Sequence, residues 1–360
     1  MGDLLMRNTR QHQSSRLFFL FTLSICLLSL TGCPKPHILK TPELLAGEMF
    51  DAFIPLPEVP ENIEVNPETG KIYAVYQKYP FLTVIDETSR AIVASIPLPK
   101  GSHRIALHPE KNRVYVTNKD DATLFIINGA TDAYMTKLDV GNRPNKIALD
   151  ASANKIYVTD EKMATVYVID GNTMTAYTKI AVGRLPQGVA VNPNTHLVYV
   201  ANWEDDTVSI IDGETCNVLE TLPVGSKPTL IAVAPAINNA FVANSSGNNV
   251  YVLNGPQSHK VVNVIAVQDT PQGLTIDPVH NLLYVTNTQA HSISVIQAGS
   301  QQVLITSPTK EFPEAVAVNP QKNLLYVVHR DYPAIFVVQI EMAQTPPPAE
   351  PPAETNFPLR

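Results

Sequence analysis

Catalysis and metal binding need nucleophiles, bases or ligands gathered in one place, and this chain has few to gather. It holds 3 cysteines and 9 histidines in 360 residues. Gly-x-Ser-x-Gly, His-Glu-x-x-His, Cys-x-x-Cys and a Gly-rich phosphate loop are all missing, which weighs against an enzyme of those kinds. Cys216 follows an Asp-Gly turn with no base beside it and reads as a bystander. His103, His291 and His329 could ligate Zn, Cu or Fe, but only if a fold brought them together, because no short segment has ligand spacing. No cofactor is expected. The cations Arg104, Arg143, Lys146, Arg184 and Lys227, and the only tryptophan, Trp203, are scattered in the same way. What they do depends on the elements that position them.

Those elements repeat. Tyr73, Tyr115, Tyr157, Tyr199, Phe241, Tyr284 and Tyr326 recur at intervals of 42 or 43 residues. Around each runs the same grammar: an apolar run ending in a turn, a Val- and Tyr-rich strand, a polar loop, a third strand ending in Asp-Gly or Asn-Gly, and a fourth leading to Val-Gly. Short β-branched runs punctuated by Gly, Pro and Asn are strands and turns, with no helical period. Four strands in a unit of this length make one blade of a propeller. The reading is all-β: a seven-bladed β-propeller of four-stranded antiparallel blades.

Tyr115-Val116-Thr117-Asn118 and Tyr284-Val285-Thr286-Asn287 resemble the hallmark of YVTN-type β-propeller repeat proteins, and Tyr199-Val200-Ala201-Asn202-Trp203 resembles its common variant. The resemblance covers roughly residues 48–341. It speaks for the fold far more than for an activity, since propeller blades serve many unrelated functions.

The last repeat has three strands, after which the chain turns Pro-rich. Phe50–Pro57 resembles the fourth strand of the first repeat, Ala91–Pro99. The N-terminal strand is therefore expected to close the last blade and leave no open seam. In such a ring the loops between blades share one mouth with the loops after each second strand. Arg104, Arg143, Lys146, Arg184 and Lys227 form a basic arc there, facing an acidic arc with Glu58, Glu61, Glu311 and Glu314. His103, His291, His329 and Trp203 fall on the same rim. A concave mouth focuses such a field, so the expectation is a binding platform for a protein or an anionic or dipolar ligand. The alternative is an extracytoplasmic propeller enzyme, a lactone-type hydrolase or a metal- or haem-dependent oxidoreductase.

The ends give an address. Arg7, Arg10 and Arg16 precede the apolar run Leu17–Leu30, which is 14 residues long. A bilayer span takes roughly 17–25 residues, so the run reads as a signal peptide. Leu30-Thr31-Gly32-Cys33 resembles the lipobox of bacterial lipoproteins. That implies cleavage before Cys33, acylation of its thiol and membrane attachment in a bacterial cell envelope; Pro34 favours the outer membrane where the cell has one. Residues 33–47 read as a tether and 342–360 as a Pro-rich tail that does not pack. A net charge of −7 argues against nucleic acid as the partner. With 44% hydrophobic and only 16% charged residues, the chain is too apolar to be disordered.

Overall fold

The computed structural model describes residues 43–44, 52–255 and 258–341. The residues read as a leader and lipobox, most of those read as a tether and those read as a Pro-rich tail lie outside them. The strands form seven antiparallel sheets, and no helix occurs among the described residues. Six sheets have four strands in chain order, such as Ser102–His108, Arg113–Asn118, Thr123–Asn128 and Ala133–Asp139.

The seventh sheet joins the two ends of the ring. Pro313–Asn319, Leu324–His329 and Ala334–Glu341 come from the last repeat, and Phe53–Pro55 pairs with the last of them, Phe53 opposite Phe336 and Pro55 opposite Ala334. This is the closure expected from the sequence. Pairing also reaches back into the segment read as tether: Glu43 and Leu44 lie opposite Glu341 and Ile340.

Burial follows position within a blade. Third strands are buried almost throughout, whereas outer strands bury mainly one side chain, such as Ile96, Ile180, Leu222 or Ile265. Each apolar cluster is shared between neighbouring blades; that of blades seven and one gathers Ile54, Leu56, Ile63, Tyr76, Tyr326 and Val337. A blade therefore has no core of its own, and stability comes from its neighbours.

The repeated aromatic residue couples blades. All seven are fully buried. Tyr157 Oη donates to the carbonyl of Gly213 in the next blade, at 3.2 Å. A Cβ built on Gly213 would lie 2.9 Å from that hydroxyl and 2.3 Å from the His196 carbonyl oxygen. A side chain after the third strand would therefore meet first the blade's own turn and then the tyrosine arriving from the blade before.

Blade one breaks this rule at the seam. Glu87 occupies the position that Gly129, Gly171, Gly213 and Gly255 hold elsewhere. It is 5% exposed, and its carboxylate accepts from Tyr326 Oη at 2.6 Å, Asn319 Nδ2 at 2.7 Å and Lys322 Nζ. A polar clamp therefore reinforces the joint between blades seven and one.

Candidate functional site

The mouth is built by the starts of the inner strands, and the repeat motif fixes them. In six blades the inner strand carries a bulge near its start, as between Ser102 and Arg104. In three of these blades the motif threonine bonds across the bulge: Thr117 Oγ1 accepts from Arg104 N at 3.2 Å and donates to the carbonyl of Asn145 in the next blade at 2.7 Å. Thr159 does the same between Lys146 N and the Gln187 carbonyl, and Thr286 between Gly273 N and the Glu314 carbonyl. One hydroxyl thereby positions the bore-lining residues of two blades. Thr117→Val should cost about 1–3 kcal/mol, since it strands a buried N–H and a buried carbonyl; urea melts would measure it.

The motif asparagine ends the strand. Asn118 Nδ2 donates to the Lys100 carbonyl at 2.8 Å, and its Oδ1 accepts from the Asp120 and Asp121 amides. Asn118 is thus a turn former, as expected, whereas Asn202 and Asn287 turn Nδ2 to the hydroxyls of Thr207, Ser209, Ser292 and Ser294 instead.

At the mouth lies a cavity of about 200 Å³ lined by Glu61, Glu64, Arg104, Asn145, Lys146 and Glu314, with small or neutral residues such as Thr229, Gly273 and Ala315 across from them. Glu61 is held by its neighbours: His103 Nδ1 lies 3.1 Å and Arg104 Nη1 3.6 Å from its Oε1. Burial pushes its carboxyl up, but these partners together bring it down to about 2. Burial, with Arg104 beside it, takes His103 down to about 3, so its ring is neutral near pH 7.

Glu64 and Lys146 are different. Among the described residues neither head group makes a hydrogen bond or an ion pair with the protein. Burial holds the Glu64 carboxyl above its ordinary range, and Lys146 draws it part of the way back. Burial holds the Lys146 ammonium below its range, with Glu64 opposing and Arg104 adding to the shift. The two feel each other without touching.

Glu64 was not singled out in the sequence, yet the ring marks it. The residue paired with each buried aromatic is Glu64 in blade one, and Ala106, Ala148, Ala190, Ala232, Thr275 and Ala317 in the others. One carboxylate stands where the other six blades keep a small side chain.

The rest of the predicted rim is more self-contained than its residue types suggest. Arg143 Nε lies 2.9 Å from Glu161 Oε2, and Lys119 Nζ 2.9 Å from Glu161 Oε1. Arg184 pairs with Asp205 at 2.6 Å and with Glu204. Lys227 sits over the Trp203 ring at 4.2 Å, a cation–π contact between adjacent blades. Much of the basic arc is thus neutralised by carboxylates from the loops after the second strands. The histidines do not assemble either. His291 Nδ1 accepts from Phe312 N at 3.0 Å, and His329 Nε2 lies 2.8 Å from Thr309 Oγ1. Among the described residues no group of three His, Cys, Asp or Glu is placed to hold a metal ion.

The model of a family described as YNCE-like beta-propeller matches residues 146–343, more than half of the chain. No curated protein matches the sequence. Among solved structures, a chain of Kuenenia stuttgartiensis hydrazine synthase is similar, with a TM-score of 0.71 and 16% identity over 86% of this chain and 100% of that one. At that identity the likeness carries the fold and no chemistry.

Proposed function

Because the chain belongs to the YNCE-like β-propeller family, we propose that it is a binding platform, a rigid ring that takes its ligand or partner at the bore mouth. The observation that carries this reading is the cavity whose Glu64 and Lys146 head groups make no hydrogen bond or ion pair with the protein among the described residues. Titratable groups held away from their ordinary ranges in a concave mouth are functional-site candidates. A photo-reactive residue in place of Lys100, on the mouth side, should capture the partner in intact cells. The same residue in place of Val279, 65% exposed on the far-side turn, should not. Equal capture from both faces would refute the reading.

The platform works, in this proposal, moored to the envelope by an acylated Cys33. Two or more acyl chains at ~0.8 kcal/mol per buried CH₂ suffice for stable attachment. Cys33→Ser should move essentially all of the protein from the membrane to the soluble fraction and abolish labelling by palmitate. Unchanged labelling would remove the anchor.

A propeller enzyme is the second reading, favoured by the same pair: a carboxyl held up and an amine held down are shifted in the direction a general acid and a general base require. Hydrolysis of simple lactones, lost in Glu64→Gln, would select it.

A further inference from the structure

We infer that the bore site takes a small zwitterion of amino-acid size, its cationic end toward Glu64 and its carboxylate toward Lys146 and Arg104. The inference rests on the platform reading and deepens it by naming the ligand class.

Three observations lead there. The first is charge placement. Pseudo-sevenfold repetition supplies six internal controls for every bore position. At the position of Glu64 the others are Ala or Thr. At the position of Arg104 and Lys146, the remaining blades have Asn62, Gly188, Leu230, Gly273 and Ala315. The charges that depart from this neutral background all sit on blades one to three, so they form one wall. The opposite wall is small or uncharged apart from Glu314, and Arg330 holds Glu314 at 2.6 Å.

The second is pairing. Glu61 already has Arg104 and His103, and Glu161 has Lys119 and Arg143. Glu64 and Lys146 are the bore residues of opposite sign that have no ion-pair partner among the described residues, and each is shifted toward its neutral form by burial. A ligand that carried only negative charge would satisfy Lys146 and leave Glu64 repelling it. A cation would do the reverse. A molecule with both charges offsets both desolvation costs and opposes neither residue.

The third is size. The cavity of about 200 Å³ has room for several ordered waters, and an amino acid fits the same space.

The test uses the intact protein and a fixed panel: glycine, L-alanine, L-serine and L-threonine as zwitterions, propionate as the anion and n-propylammonium as the cation. Titration calorimetry at neutral pH up to about 10 mM ligand should show saturable binding of at least one zwitterion and at least tenfold weaker binding of both singly charged probes. Glu64→Gln and Lys146→Met should each weaken that binding by about 10- to 100-fold. Their melting temperatures serve as the folding control, and Val279→Thr, at an exposed turn on the far side, should bind as wild type. If no zwitterion binds, or propionate binds as tightly, the inference fails. The platform reading stands or falls separately, on the face-selective capture described above.

Discussion

A chain lacking residues 52–57 is expected to melt far below the intact protein and to lose its single cooperative transition. Ile54 is 1% and Leu56 8% exposed, and both belong to the cluster that joins blades seven and one. Truncating one such side chain costs ~2–5 kcal/mol. The deletion removes two of them, the pairing of Phe53–Pro55 with the last strand, and the bond from Leu56 N to the Pro333 carbonyl. Together these reach into the ~5–15 kcal/mol by which a folded domain survives. No blade has a core of its own to fall back on. Scanning calorimetry is the check, with removal of residues 345–360 as the control. A deletion that melts within about 2 °C of the intact chain would refute closure by the N-terminal strand.

Glu87 gives the second large effect. Glu87→Ala strands a buried tyrosine hydroxyl and an asparagine amide and removes the partner of Lys322. Each lost hydrogen bond to a charged group is worth about 1.5–3 kcal/mol, so the variant should lose about 3 kcal/mol or more. Glu87→Gln should lose less. The loss depends on pH in a defined sense. Burial alone would raise the Glu87 carboxyl, but donors from Lys322, Tyr326 and Asn319 outweigh it and hold the group below its ordinary range. A carboxyl depressed in the folded state stabilises fully above its unfolded value of about 4.3, and that contribution disappears as pH falls through the folded value. Glu61, brought down to about 2, acts in the same direction. Urea melts from neutral pH to about pH 3 should therefore show the gap between wild type and Glu87→Ala shrinking as acid is added. A constant gap would mean that the carboxylate charge adds nothing.

These two joints differ in how far the sequence reveals them. The closing strand is legible because Phe50–Pro57 looks like Ala91–Pro99 and the last repeat lacks a strand. Its registered part is shorter than the resemblance, Phe53–Pro55, and a second pairing at Glu43–Leu44 carries no comparable pattern. Glu87 stands out only beside the glycines of other blades, and its partners lie more than 230 positions away. At the mouth, residue types gave a basic arc, but not the acids that answer it. Glu161, Glu204 and Asp205 sit in loops whose approach to Arg143 and Arg184 is set by the ring. Glu64 reads as an ordinary strand glutamate until pairing places it opposite Tyr73, where its counterparts are small. Motif threonines and asparagines were visible as a signature. That the threonine stitches neighbouring inner strands together needs coordinates, because its partners belong to two blades.

The split final blade also sets an order of events at birth. Synthesis proceeds from the N-terminus, so Phe53–Pro55 leaves the ribosome among the first blade's residues and waits for a partner about 280 residues downstream. Hairpins within each repeat assemble from near neighbours, which is fast, whereas joining the ends is the most distant pairing in the molecule and is slow. The entropic cost of that joining grows only with the logarithm of the separation. The hazard is therefore one of time: a nascent chain carries two unsatisfied strand edges until its last strand emerges, and refolding should show a late phase during which a holdase chaperone suppresses aggregation.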